Sequence, residues 1–282
     1  LARLHHSFGI RSHALEWFCS YFQGRTQSVA IGDSRSTPKE LHYGVPQGSV
    51  LGPKAYCIYT KPVTAIIKEH RFQYHCYADD AQNYITIKPS DSWDTTSSRI
   101  QACVSEVRGW MASNMLKLNE EKTEVIIFHP KHYANPFSDL PITIDGCNII
   151  AARQVRNLGA LQDCHLMMEA QVNSICKTCY FHLRNISAIR KYITTNACRT
   201  LVQAMVVSRL DYANSLLYGL PQTLMSRLQR LQNSAARIIT RTRRREHISP
   251  VLVRLHWLPV EYRPKYKVLV FTYKALAGTA PQ

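Results

Sequence analysis

An α+β chain, with a small sheet carrying helices on one face and a mainly helical region after it, is the fold the sequence predicts. Three observations point there. Apolar and β-forming residues alternate over residues 72–77 and 83–87, on either side of the acidic pair Asp79 and Asp80. Ile100, Val104, Val107 and Met111 then recur at helical spacing within 99–112, and "EVIIF" at 124–128 reads as a further strand. Beyond residue 176 the pattern is helical almost throughout, with "TTN" at 194–196 offering N-caps and "GLP" at 219–221 a stop. Hairpin, helix and strand in that order make a sheet layered against helices.

The elements follow in order. Residues 1–71 are mixed and hold the loop "YGVPQGSVLGP" in their middle. The acidic hairpin opens a second zone, which runs through the 99–112 helix and the 124–128 strand. A polar, proline-containing stretch, "HPKHYANPFSDLP", and a short β-like segment to about residue 150 come next. The helical zone then closes the chain, with neither an internal repeat nor a low-complexity tract.

Composition sets the partners. The 282 residues are 45% hydrophobic, enough for a real core in about two domains. Lys and Arg total 35 against 19 Asp and Glu, a formal charge of +16 that favours polyanionic partners. No apolar run approaches the roughly 20 residues that span a bilayer, so no membrane partner is expected. Nine cysteines without a secreted-scaffold spacing, and the lack of an export signal, point to reduced thiols in an intracellular compartment, nucleus or cytoplasm. Cys176, Cys179 and His182 have no second ligand pair to complete a zinc site, so a helical packing face is expected there. The chain starts without Met and stops just after a helix, and reads as a fragment at both ends.

Three stretches carry chemistry. Asp79 and Asp80 could not both serve one site on a regular strand, whose successive side chains face opposite ways, but a turn removes that objection. A solvated turn and a ligand-bearing tip both fit the residues. The loop at 44–53 has glycines at 44, 48 and 52, prolines at 46 and 53, and Gln47 as a polar centre. It is not a phosphate-binding P-loop, and a structural turn and a close-approach loop both fit it. In "LMSRLQRLQNSAARIITRT", Leu224, Leu228, Leu231, Ala235 and Ile238 make an apolar stripe beside Arg227, Arg230, Arg237 and Arg241, with "RTRRR" following. That face reads either as a solvated basic surface or as a rigid phosphate-facing one.

Taken together, "GVPQGSVLGP", "YADD", "WMASNMLKLNEEKTEVIIF" and "VRNLGALQD" closely resemble the reverse transcriptase of LINE-type, non-LTR retrotransposons. "FHLRNISAIR", "LVQAMVVSRLDYANSLLYGLP", "LQNSAARIITR" and "HISPVLVRLHWLPVEYR" resemble the region after the palm in the same elements, so the resemblance covers essentially the whole chain. It implies a right-hand polymerase palm, incomplete at its first strand, with partial fingers and palm at 1–71, palm at 72–175 and a helical, basic, thumb-like region at 176–282. It implies RNA-directed DNA polymerase activity on an RNA template and DNA primer with deoxynucleoside triphosphates, using two Mg²⁺ ions in an intact parent enzyme. Tyr77, Ala78, Asp79 and Asp80 match the family's Y-x-D-D hairpin, whose first Asp is a metal ligand and whose second supports the site. Pro46, Gln47 and Gly48 match the loop along nucleotide and template, and Lys122 matches the lysine near the triphosphate. Leu158 and Gly159 fall in the primer-grip-like segment, and Arg25 of "GRTQ" in a template-side one. Arg227, Arg230, Arg237 and Arg241 are the nucleic-acid-binding candidates.

Departures from the family pattern bear on activity. The apolar pair after "GSVLGP" is replaced by Lys54 and Ala55, and Ala81, Gln82 and Asn83 follow "YADD" where Thr and an apolar residue are usual. The family's other metal-binding Asp lies on an earlier strand, and no Asp precedes residue 33. A polymerase module inactive by itself and a non-catalytic, basic nucleic-acid-binding remnant are therefore both expected forms of this chain. A metal-dependent phosphohydrolase is the third, weakened by the lack of further His/Asp clusters.

Overall fold

The fold comes from a computed structural model, which describes residues 1–280 except 46–47, 89, 120–121, 134–136, 138–139 and 145–146. Two compact units form: Leu1–Thr123 with Leu140–Ile150, and Glu124–Asp139 with Ala151–Gln282. Helices and small antiparallel sheets are mixed, so the α+β class stands. Among the described residues every sheet is a two-stranded ladder.

The first unit opens on helices α1 (Ala2–Phe8) and α2 (Ser12–Phe22). Four two-residue strands follow, β1 (Thr26–Gln27) paired with β4 (Lys39–Glu40) and β2 (Ala30–Ile31) with β3 (Ser34–Arg35). Helices α3 (Gly52–Thr60) and α4 (Val63–Glu69) lead into the hairpin β5 (Gln73–Tyr77) and β6 (Asp80–Tyr84). Then come α5 (Trp93–Ser113) and the ladder β7 (Ile142–Ile144) with β8 (Cys147–Ile149). The core is local: Val63 and Ile67 of α4, Phe72 at the strand entrance, and Cys103 and Val107 of α5, with Tyr74 and Ile100 packed against it. Arg99 closes this cluster, its guanidinium donating to the carbonyls of His70 and Arg71 at the end of α4 and lying 5.1 Å from the Phe72 ring centre.

Two expected strands differ. The second hairpin strand begins at Asp80, three residues earlier than the alternation over 83–87 suggests, because a two-residue loop closes the hairpin and pairs Tyr77 with Asp80 directly. The strand expected at 124–128 is not a ladder. That segment belongs to the second unit, where Val125 accepts a hydrogen bond from the Ala152 amide at 2.7 Å and the His129 amide donates to Cys164 at 3.0 Å. Two bonds separated by four residues hold an extended segment without a continuous partner, so alternation alone does not make it a strand.

The second unit builds the hairpin β9 (Gln154–Asn157) and β10 (Ala160–Asp163), then α6 (Glu169–Ile189) and α7 (Thr195–Val202). Thr194 caps α7, its side chain accepting from the Ala197 amide at 3.1 Å, as the "TTN" signal predicts. A π-helical turn and α8 (Ser208–Asp211) follow, then α9 (Gln222–Thr240), α10 (Ser249–Arg254) and α11 (Tyr262–Leu276). Leu228, Leu231 and Ala235 of α9 are fully buried against α6 and α7, and Ile239 completes the face where the periodicity suggested Ile238, which is half-buried. Cys176 and Cys179 lie inside this core; burial pushes the Cys179 thiol up to about 11. Both cysteines belong to a packing face.

Arg190 is the joint of the unit. It is buried, at 8% exposure, and four acceptors surround it: the carbonyls of Ile238, Ile239 and Ile193 and the Thr195 hydroxyl, at 2.8–3.1 Å. Ile238 and Ile239 belong to the last turn of α9, whose carbonyls have no partner within the helix and where the helix dipole favours a cation. Arg190→Ala is expected to lower unfolding stability by about 2–4 kcal/mol, because buried carbonyls lose charged donors. Arg190→Lys should recover only part of this, since one ammonium cannot reproduce the fork. Urea titration followed by circular dichroism reads both; an unchanged midpoint for Arg190→Ala would refute the role.

Candidate functional site

The acidic pair sits at the tip of the β5–β6 hairpin. Ala78 and Asp79 form its two-residue loop, and Ala78 takes a left-handed φ of 54°, the sign such loops require at their first central position. Asp79 is therefore a turn residue and Asp80 the first residue of β6, so the two do not occupy consecutive positions of one strand. Both carboxylates are exposed, as is the Tyr77 ring beside them. Down the hairpin, His75 and Tyr84 stack on the solvent face with ring centres 5.4 Å apart.

The opposite face leads from core to tip. Phe72, Tyr74 and Cys76 alternate onto one side. The first two enter the cluster with α4 and α5. Cys76 is exposed, and α3 is its neighbour through Cys57: partial burial, then Cys57, raises the Cys76 thiol. One residue earlier on α3, the Tyr56 phenol is pushed up by burial and then by the negative charge of Asp79. The helix that follows the glycine loop thus lies close enough to the hairpin tip for its phenol to sense the first carboxylate.

The loop itself is held at both ends. Arg25 donates to the Gly44 carbonyl at 2.6 Å and to the Phe22 carbonyl at 3.2 Å, clamping the loop entrance to the end of α2. Tyr21 donates to the Ser49 hydroxyl at 2.7 Å, and Ser49 accepts from the Gly52 amide at 3.0 Å, which ties the exit to the start of α3. Gly44 and Gly48 both have φ of 80°, a region a side chain disfavours. Pro46 and Gln47 lie outside the described residues. Lys122 is exposed near the end of the first unit's main segment, its amide 3.3 Å from the Asn119 carbonyl.

Two exposed carboxylates on a rigid turn are hard oxygen donors of the kind a divalent cation such as Mg²⁺ prefers. Among the described residues no third His, Cys, Asp or Glu joins them at metal-sharing distance. The donor set fits part of such a site.

In the second unit the basic helix is less free than its sequence suggests. Arg227 donates to Asn173, Arg237 to the carbonyls of Arg243 and Glu246, and Arg241 to the carbonyl of Arg190. Arg230 is exposed and, among the described residues, donates within its own helix to the Ser226 carbonyl. Lys191 joins Arg190, Arg237 and Arg241 along one open groove, so a basic surface remains beside the structural arginines. The β9–β10 hairpin turns on Leu158 and Gly159, both at positive φ, 44° and 83°, with the Tyr212 hydroxyl donating to the Leu158 carbonyl. Neither the Arg190 joint nor the Tyr56–Asp79 proximity has a signal in the sequence, since both depend on distant segments meeting.

Residues 1–161 match the family described as reverse transcriptase (RNA-dependent DNA polymerase). The chain is 26% identical over 229 residues to the probable RNA-directed DNA polymerase from transposon BS of Drosophila melanogaster, covering 78% of this chain and 25% of that protein. It is also 26% identical over 229 residues to the probable RNA-directed DNA polymerase from transposon X-element of the same species, covering 78% and 24%. Against the RNA-directed DNA polymerase from mobile element jockey of Drosophila funebris it is 26% identical over 232 residues, again 78% and 24%. The chain thus spans about a quarter of the length of these relatives. No solved structure matches it.

Gly159 offers a direct check of the second unit's hairpin. A methyl group there would meet the Tyr212 ring at 3.4 Å and would have to adopt φ of 83°. Gly159→Ala is expected to cost about 1–2 kcal/mol of stability, the usual penalty for a side chain in the left-handed region. Urea unfolding measures it, and a neutral substitution would show that the turn relaxes.

Proposed function

The chain belongs to the reverse transcriptase (RNA-dependent DNA polymerase) family, in its LINE-type, non-LTR branch, and on that premise we propose that it is the palm and following region of an RNA-directed DNA polymerase that extends a DNA primer on an RNA template. The observation that carries this reading is the exposed Asp79–Asp80 pair on a two-residue turn, within electrostatic reach of the helix leaving the glycine loop. Asp79 is the metal ligand and Asp80 its support. Asp79 and Asp80 would hold part of a divalent-metal site, and Mg²⁺ held there would supply Lewis acidity to an in-line phosphoryl displacement.

The chain's own residues then have distinct tasks. The left-handed Ala78 turn places Asp79 in the loop and Asp80 at the start of β6, so both carboxylates are presented at the tip of the hairpin. Arg25 and Ser49 pin the two ends of the glycine loop, whose open Gly44 and Gly48 let backbone approach nucleotide and template closely. Pro46 and Gln47, which the sequence places between these glycines, are the residues of this loop proposed for nucleotide and template binding. Lys122 neutralises charge on the departing pyrophosphate. Arg230, together with the basic groove at Lys191, meets the nucleic-acid backbone as a sequence-independent surface.

Catalysis has a specific weakness. Asp79 and Asp80 offer ligands from one hairpin, and the described residues add no third donor. Residues 1–282 by themselves are expected to give no measurable gel-resolved extension of a DNA primer on an RNA template. Joining the metal-binding strand of an intact related polymerase should bring Mg²⁺-dependent extension, and Asp79→Ala should then lower it by more than about 10²-fold. Extension that survives Asp79→Ala would make the acidic hairpin only a turn.

Binding is tested separately. If about six phosphates are neutralised on a duplex, log K should fall against log salt with a slope of roughly −5. Arg230→Ala should reduce the slope by about 1 and leave stability unchanged. Arg237→Ala should instead cost stability, because its guanidinium holds backbone carbonyls. A slope near zero by fluorescence titration would remove the nucleic-acid reading.

A further inference from the structure

The connector after the extended 124–128 segment meets the turn before α6 at a cluster no part of the polymerase reading uses. A ring nitrogen from each of His129 and His165 and the Cys164 sulfur lie within 4.8 Å of one another, all three half-buried. The two rings cross edge to face, with centres 4.6 Å apart. We propose that His129, Cys164 and His165 bind one Zn²⁺ ion, with solvent in the fourth position.

The surroundings prepare the ligands. His129 Nδ1 lies 3.2 Å from the carbonyls of Pro130 and Tyr133, and His165 Nδ1 lies 3.2 Å from the carbonyl of His129. Carbonyls only accept, so each Nδ1 carries the proton and Nε2 keeps the lone pair. Zinc-binding histidines are held in this way, the second nitrogen donating to a carbonyl that sets ring orientation and tautomer. The turn is fixed independently. The Asp163 carboxylate accepts from the amides of His165, Met167 and Met168 at 2.8–3.1 Å, and the His129 amide donates to the Cys164 carbonyl. Donors around tetrahedral zinc sit about 3.3–3.8 Å apart, so side-chain shifts on the order of 1 Å close the site.

The donor chemistry selects the ion. One thiolate and two imidazoles suit zinc and its neighbours and are poor for magnesium, which prefers oxygen. This site and the acidic hairpin therefore take different metals. Bound zinc would clip the connector at His129 to the hairpin base at Cys164. The Cys164 thiol proton leaves for solvent on binding, so the bound sulfur is a thiolate.

Co²⁺ titration of the reduced 282-residue chain tests the site. One equivalent is expected to give a thiolate-to-cobalt charge-transfer band, bleached by Zn²⁺ and unaffected by Mg²⁺. Cys164→Ser should abolish the band, and His165→Ala should weaken binding at least about 100-fold, beyond what loss of an outer hydrogen-bond partner costs. Cys19→Ser should leave both unchanged. Alkylation mapping on the unmodified chain keeps the test decisive if a variant fails to fold: zinc should protect Cys164 from iodoacetamide while the exposed Cys57 reacts. A chain whose Cys164 is alkylated equally fast with and without zinc, or whose cobalt spectrum lacks the thiolate band, overturns the proposal.

Discussion

Guanidinium groups bonded to the carbonyls that helices leave unpaired are the interaction on which both units depend. Arg99 closes the end of α4 in the first unit, and Arg190 the end of α9 in the second. The cause lies in the charge balance. With 35 basic side chains and 19 acidic ones, 16 more basic groups than carboxylates are present, and helix C-termini offer the surplus guanidinium groups good acceptors. Arg3 follows the same rule, donating to the Tyr59 carbonyl while its guanidinium lies 4.8 Å from the Tyr59 ring centre and 5.2 Å from that of Trp110. Arg263 is an exception that pairs with Asp211 at 2.7 Å. Much of the positive charge is therefore architectural, and net charge alone overstates the surface left for phosphates.

In the first unit one register serves both core and site. Pairing Tyr77 with Asp80 sets every later pair down to Gln73 and Tyr84. A slip of one residue would turn Phe72 and Tyr74 away from α4 and α5, so burial holds the tip in place. Asp79 and Asp80 carry no packing of their own. Their position is maintained by apolar contacts several residues away, which leaves the carboxylates solvated and available.

The second unit uses polar side chains to the same end. Asp163 gathers three amides at the approach to α6, and Gln171, buried on α6, accepts from the Leu161 amide at 2.9 Å. Gln232 is fully buried on α9 and donates to the Leu258 carbonyl, while its neighbour Gln229 accepts from the Val260 amide at 2.8 Å. Asp163 joins β10 to the turn before α6, Gln171 joins α6 to β10, and Gln229 and Gln232 join α9 to the 258–260 segment, giving backbone groups outside the helices their partners. The cluster of His129, Cys164 and His165 stands on such a segment.

Local signals in the sequence determined the hairpin, the helix over 99–112 that the structure extends to 93–113, the Thr194 cap and the apolar face of α9, because each rests on periodicity or on a residue's own conformational preference. The motifs around Asp79, Gly48 and Gly159 likewise determined the family. Tertiary structure alone decided the rest. It turned the apolar run at 124–128 into an extended segment with scattered partners, moved the hairpin strand to begin at Asp80, and took Arg237 and Arg241 for backbone carbonyls. It also brought His129 to Cys164 and His165 across 35 residues. A side chain's partner depends on which distant backbone reaches it, and no local pattern encodes that distance.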